Sequence, residues 1–147
     1  MTGPDRGRRQ AAFALVFGLL ALTSARADAV DPATRDALQS VVTRQLGALD
    51  RGDGAAAEAF AAPGIRDKFP DPAGFLAMVR TNYAALIKPR STRFTGVETS
   101  PHGPLVTLSI VGADGKVWTA VYSFEKNGDE WRITGCGLQE DKNQQAI

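Results

Sequence analysis

The chain has very few of the side chains on which enzymes most often build reactive sites. Its 147 residues include one histidine, His102, and one cysteine, Cys136. A histidine-based metal cluster is therefore excluded, and a Ser-His-Asp triad would depend on His102 alone. His102 lies between prolines and glycines (SPHGP), a pattern typical of a solvated loop. We predict no catalytic residue, no metal site and no cofactor.

The single cysteine also excludes a disulfide within the chain. Cys136 falls in a strand-like segment, residues 131–138 (WRITGCGL). A small buried hydrophobic side chain is the usual role of a free cysteine in such a segment. We therefore interpret Cys136 as a packing residue.

Strong charge of one sign and a membrane-spanning run are absent as well. The formal net charge is only +1, and no stripe of lysine and arginine with interleaved aromatics indicates a nucleic-acid partner. The main apolar run, residues 11–22 (AAFALVFGLLAL), is shorter than the roughly 20 residues that a spanning helix needs. We expect neither nucleic acid nor a membrane span in the mature protein.

The short apolar run instead has the flanks of an export signal. It follows the basic residues 6–9 (RGRR) and precedes a small-x-small site at residues 25–27 (ARA), the order typical of a cleavable signal peptide. We expect residues 1–27 to be removed, with the mature chain beginning at Asp28 or Val30. The predicted localisation is periplasmic or secreted. The paired arginines leave the twin-arginine route open beside the general secretory route.

Three helices are predicted in the first half of the mature chain. Asp31-Pro32 and Asp71-Pro72 each place a capping aspartate before a proline in the first helical turn. Apolar residues then recur at helical spacing, and glycine or proline ends each segment. The predicted helices are residues 32–49, 55–60 and 72–87.

After Pro89 the apolar period becomes two, which is typical of β-strands. Asp114-Gly115 and Asn127-Gly128 favour two-residue hairpin turns, and thus a three-stranded antiparallel meander. The fold class is α+β, with N-terminal helices packed on a curved antiparallel sheet in one domain, residues 28–138. A polar C-terminal tail, residues 139–147, follows. The predicted strands are residues 92–98, 105–111, 117–124 and 131–138.

Two-residue turns would also determine which residues share a face of the sheet. They place Trp118 opposite Val111 and Gly137, and Tyr122 opposite Thr107 and Ile133. The small residues between these aromatics admit two interpretations, a pocket wall or the close approach of a helix. Both faces are more apolar than a solvated face requires, so the face without helices is the expected homodimer surface. One predicted face carries Thr107, Ser109, Trp118, Ala120, Tyr122, Phe124, Gly135 and Gly137, and the other Val106, Leu108, Ile110, Val117, Val121, Cys136 and Leu138.

Several segments resemble a known family when they are taken together. They are residues 61–66 (AAPGIR), 75–80 (FLAMVR), 88–90 (KPR) and 131–138 (WRITGCGL). The chain resembles, over residues 36–138, a bacterial family of exported proteins, domain of unknown function 4864, within the nuclear-transport-factor-2-like superfamily. The resemblance implies a cone-shaped α+β domain with an internal cavity and frequent dimerisation across the sheet. It brings no catalytic residues, because the family offers none to match, and it implies no single activity, because one such fold hosts many activities.

Two functions follow as hypotheses. The first is a non-enzymatic periplasmic module that binds a small apolar ligand or an envelope partner protein, with Tyr83, Thr107, Trp118 and Tyr122 lining the cavity. The alternative is a small isomerase or hydrolase that uses Tyr83 or Tyr122 as a proton donor. That alternative predicts a carboxylate or His102 within hydrogen-bond reach of a tyrosine inside the cavity.

Overall fold

The structure is a computed structural model that describes residues 29–145. The predicted signal peptide, residues 1–27, lies outside the described residues. Helices come first along the chain and strands second. The helices are α1 (Pro32–Asp50), α2 (Gly54–Ala59), α3 (Pro63–Arg66) and α4 (Pro72–Asn82), followed by a 3-10 turn (Ala84–Leu86). The strands are β1 (Ser91–Ser100), β2 (Gly103–Val111), β3 (Lys116–Asn127) and β4 (Glu130–Gln145).

The predicted α+β fold class is confirmed. The strands form one 4-stranded antiparallel sheet in the order β1-β2-β3-β4, a simple meander, and the sheet is curved. Apolar residues of α1, α2 and α4 form one continuous core with the sheet. Within residues 29–145, no helix is both long enough and apolar enough to cross a bilayer.

The predicted helix starts are also confirmed. Asp31 accepts a hydrogen bond from the Thr34 backbone N–H at 3.0 Å, and Asp71 accepts one from the Ala73 N–H at 3.0 Å. A proline follows each aspartate within the first turn. Pro63 behaves differently from the prediction, since it begins the short helix α3 where a break was expected. Proline suits the first helical turn because the N–H that it lacks has no partner there.

The loop between β2 and β3 is longer than the predicted two residues. The Gly112 N–H donates to the Lys116 carbonyl at 2.8 Å, and the Gly115 N–H donates to the Gly112 carbonyl at 2.9 Å. Gly115 has a φ of 82°, so a turn is followed by a left-handed glycine, as in three-residue hairpin loops. Trp118 consequently pairs with Ile110 and not with Val111.

This shift corrects the predicted division of the two faces. A slip of one residue moves every side chain of a strand to the other face. Val106, Leu108 and Ile110 therefore lie on the same face as Tyr122 and Phe124, buried under the helices. The prediction had placed these two groups on opposite faces.

The outer face of the sheet is less apolar than predicted. By register, β2 and β3 carry four partly exposed hydroxyl side chains there beside four apolar ones: Thr107, Ser109, Thr119 and Ser123, and Leu105, Val111, Val117 and Val121. Val121 is 36% exposed and is the one exposed large hydrophobic residue among those described. The expectation that both faces are more apolar than a solvated face requires was based on the wrong register, and a homodimer through this outer face stays a prediction.

The polar segment after residue 138 continues the sheet. Strand β4 runs to Gln145. Gln139 pairs with Thr119, and Glu140 pairs with Trp118. Up to Gln145, the segment predicted as a tail is therefore part of β4.

Candidate functional site

A cavity of about 420 Å³ lies between the helices and the strands β3 and β4. Helix α1 contributes Gln45 and Leu49, and helix α4 contributes Phe75 and Met78. Its size falls within the range of about 300–1,000 Å³ typical of small-molecule sites. The remaining lining residues are Ala61, Ile65, Lys68, Phe69, Val79, Asn82, Tyr83, Leu86, Tyr122, Ile133, Thr134, Gly135 and Cys136.

The segment between α2 and α3 joins the helices to the sheet at one side of this cavity. The Ala62 N–H donates to the Ile133 carbonyl at 2.8 Å, and the Ile133 N–H donates to the Phe60 carbonyl at 2.8 Å. Ala61 thereby forms a parallel bridge with Ile133. These backbone bonds hold Ala61 on the cavity wall.

A β-bulge in β4 determines which of its side chains reach the cavity. Phe124 pairs with Ile133 and Ser123 pairs with Gly135, so Thr134 is the extra residue. An extra residue reverses the alternation of side chains along a strand. Ile133 and Cys136 both line the cavity for this reason, although three positions separate them.

Tyr122 is the most unusual residue of the cavity wall. It lies in β3 directly opposite Cys136, and its side chain is 1% exposed. Its hydroxyl is the one buried side-chain polar atom in the described part of the chain that has no hydrogen-bond partner. Burial raises the pKa of Tyr122 well above its ordinary value near 10, and the adjacent Cys136 thiol adds to the rise. The hydroxyl therefore stays protonated as a donor across the physiological pH range.

The Cys136 thiol is kept in its unreactive form. Burial raises its pKa to about 12, and the thiolate is the nucleophilic species. The sulfur is 3.8 Å from the Gly137 carbonyl oxygen, a weak contact. The interpretation of Cys136 as a packing residue fits this environment.

Gln45 is the buried amide of the cavity. Its Nε2 donates to the Ala57 carbonyl at 3.1 Å, which ties α1 to α2 and holds the side chain in place. Gln45 is nearly fully buried. One of the two Nε2 hydrogens of Gln45 thus already has an acceptor within the protein.

Charged groups are scarce along the cavity wall. Lys68 is its one charged lining residue within the described range, and its side chain is exposed. His102 lies exposed in the β1–β2 turn, and Glu98 and Glu125 are exposed strand residues. The carboxylate or histidine that the isomerase or hydrolase alternative requires beside a tyrosine is not among the lining residues. Residues 29–145 also contain no group of three or more His, Cys, Asp or Glu that could hold a metal ion.

The structure brings together two of the four residues predicted to line the cavity. Tyr83 and Tyr122 lie on its wall. Thr107 pairs with Val121 on the outer face, away from the cavity. Trp118 shares the inner face with Tyr122 and packs against the core, but it is not a lining residue.

Most of the remaining wall was missed from the sequence, including Gln45, Phe75, Met78 and Cys136. The helical periodicity of α1 and α4 marks their apolar stripes correctly. An apolar stripe does not indicate which turns of the helix border a cavity and which pack against other side chains. A glutamine inside the apolar stripe of α1 was the one available signal for Gln45.

Comparison with known proteins identifies the family of the chain. The model of the family described as "Domain of unknown function (DUF4864)" matches residues 32–146. No curated protein matches the chain. The matched segment includes all four helices, all four strands and every residue that lines the cavity. The chain therefore belongs to the DUF4864 family.

Proposed function

We propose that this protein is an exported, non-enzymatic binding module that holds a small apolar ligand in the cavity between its helices and its sheet. The observation that carries the proposal is a cavity of about 420 Å³ whose lining is mostly apolar and contains no acidic side chain. Apolar pockets with a few placed polar groups are the usual form of small-molecule sites. An envelope partner protein, the other partner predicted from the sequence, stays a prediction.

The arrangement favours binding over acid–base catalysis. Proton transfer needs a group whose pKa lies near the working pH. Loss of contact with water raises the pKa values of two titratable lining residues, Tyr122 and Cys136, further above neutrality. Both residues are therefore better suited to lining a binding site than to transferring protons.

Naphthalene, a rigid apolar compound, tests this proposal. The full chain, residues 1–147, is expressed with export so that the processed protein is used. Thermal unfolding is then followed with and without naphthalene. A ligand at about 100 times its dissociation constant stabilises the folded state by roughly 2.7 kcal/mol, which raises the melting temperature by several degrees.

Two matched variants make this test specific for the cavity. Ala61→Leu adds an apolar side chain on the cavity wall, whereas Ala59→Leu adds the same side chain at an exposed position of α2. We expect naphthalene to stabilise the wild type and Ala59→Leu equally and Ala61→Leu little. An unchanged melting temperature of the wild type, or full stabilisation of Ala61→Leu, would contradict the proposal.

Export is tested separately by the intact mass of the processed protein. We expect a chain that begins at Asp28 or at Val30. An unprocessed chain of residues 1–147 recovered from the cytosol would contradict export and leave the cavity proposal standing.

A further inference from the structure

The Tyr122 hydroxyl has no oxygen or nitrogen acceptor in the described part of the protein, and the adjacent Cys136 sulfur is only a weak acceptor. Burying a polar group without a partner destabilises the folded state, and natural proteins satisfy nearly all such groups. Tyr122 lies on the wall of the cavity proposed above to hold a ligand. A ligand atom could therefore supply the missing acceptor.

From this observation, and resting on the proposed function, we infer that the ligand of this cavity carries an uncharged acceptor oxygen, such as a ketone, aldehyde or ester carbonyl, that accepts a hydrogen bond from Tyr122 Oη.

The charges around Tyr122 indicate that the acceptor oxygen of the ligand is uncharged. The one cation among the described lining residues is Lys68, whose side chain is exposed. A carboxylate buried beside Tyr122 without a counter-charge would be strongly disfavoured. The same surroundings raise the pKa of Tyr122 by disfavouring its anion. A neutral carbonyl avoids this cost.

The other side-chain donors on the wall already have a partner in the protein or are accessible to water. Gln45 donates through Nε2 to the Ala57 carbonyl. Asn82 and Lys68 are exposed, so water can satisfy both. Tyr122 is thus the donor that gains most from a ligand oxygen.

A side chain of the cavity wall must move before the acceptor oxygen of the ligand can reach Tyr122 Oη. Less than 1 Å² of the hydroxyl oxygen is accessible, so a neighbouring lining side chain must shift when the ligand enters. Met78 lines the same cavity, and an unbranched methionine side chain adapts its shape readily.

Two probes of nearly identical shape test the inference. In 2-acetylnaphthalene a carbonyl oxygen occupies the place of the terminal CH₂ of 2-isopropenylnaphthalene. The dissociation constants of both are measured on the wild type and on Tyr122→Phe, and the preference for the ketone is compared between the two proteins. We expect that preference to fall about tenfold in Tyr122→Phe, the effect of one hydrogen bond to an otherwise unpaired buried donor. A general effect of the substitution on folding or cavity shape would weaken both probes alike.

Tyr83→Phe is the matched control, since Tyr83 lines the same cavity but is only half-buried. It should leave the preference unchanged. Equal preferences in the wild type and Tyr122→Phe, with both probes bound, would overturn the inference and leave the proposed function intact. If 2-naphthoic acid binds the wild type more tightly than the ketone at neutral pH, the acceptor is anionic and the inference is wrong. Failure of the wild type to bind any of these probes or naphthalene would overturn the proposed function, and the inference with it.

Discussion

Tyr122 and Cys136 face each other across strands β3 and β4, and both side chains lie on the wall of the cavity. The Tyr122 hydroxyl and the Cys136 thiol both lie in surroundings that disfavour their charged forms. The bulge at Thr134 creates this pair, since continuing the Phe124–Ile133 register without it would have placed Tyr122 opposite Gly135. The local geometry of β4 therefore determines the chemistry of the cavity.

Tyr122→Phe should stabilise the protein when no ligand is present. The substitution removes a buried hydroxyl that has no partner and leaves the ring in place. We expect the free energy of unfolding to rise by about 1 kcal/mol. Urea denaturation of the wild type and the variant measures this difference.

Tyr83→Phe again serves as the control for that measurement. Because Tyr83 is only half-buried, its substitution should change the free energy of unfolding by less than about 0.5 kcal/mol. A loss of stability in Tyr122→Phe would show that the hydroxyl has a partner after all.

Stability should fall at alkaline pH, beginning near pH 9. Burial raises the pKa of Cys136 from 9.0 to about 12 in the folded state, so the folded chain binds more protons than the unfolded chain between these values. The contribution of the protonated Cys136 thiol to the free energy of unfolding is fully present below pH 9 and is lost as the pH rises towards 12.

Cys136→Ala isolates the part of this loss that the thiol contributes. Between pH 8 and pH 10.5 we expect the variant to lose about 1–2 kcal/mol less than the wild type. Urea denaturation at both pH values measures the losses. Identical losses would show that the thiol ionises freely in the folded protein.

Gly54→Ala should destabilise the contact between α2 and α4. A Cβ at Gly54 would lie 2.5 Å from the Pro72 carbonyl oxygen and 3.3 Å from the Leu76 Cβ. Because backbone atoms cannot yield cheaply, we expect a loss of about 1–3 kcal/mol in the free energy of unfolding. Thermal or urea denaturation measures it.

Gly64→Ala is the matched control in helix α3. A Cβ at Gly64 would meet no heavy atom within 4 Å. We expect no loss, and a gain of up to about 1 kcal/mol, because alanine favours the helix. Equal losses in the two variants would show that the effect at Gly54 is not steric.

The outer face of the sheet provides a test of oligomeric state. The sequence-based prediction is a homodimer, and Val121 is the exposed large hydrophobic residue on that face among the described residues. We expect a dimer mass in light scattering of the processed protein and a monomer mass for Val121→Lys. A monomer mass of the wild type at high concentration would contradict the homodimer.

Local signals in the sequence predicted the order of elements well. Asp31-Pro32 and Asp71-Pro72 are complete helix starts, because the cap and the proline act within one turn. The glycines of both hairpin turns likewise predicted where strands reverse. These features depend on neighbouring residues only, so they can be read without a structure.

The register could not be predicted in the same way. Gly115 fits both a two-residue turn and the last position of a three-residue loop, and the choice moves Thr107 from the inner to the outer face. The bulge at Thr134 depends on how β4 packs against Ala61 and the helices. Tyr122 itself lies on the cavity wall despite the changed register.

The most direct measurement is a crystal structure of the processed protein with 2-acetylnaphthalene. We expect density for the compound between the helices and strands β3 and β4, with its carbonyl oxygen about 2.5–3.0 Å from Tyr122 Oη. A cavity filled by protein side chains, or a compound bound only on the protein surface, would contradict ligand binding by this cavity.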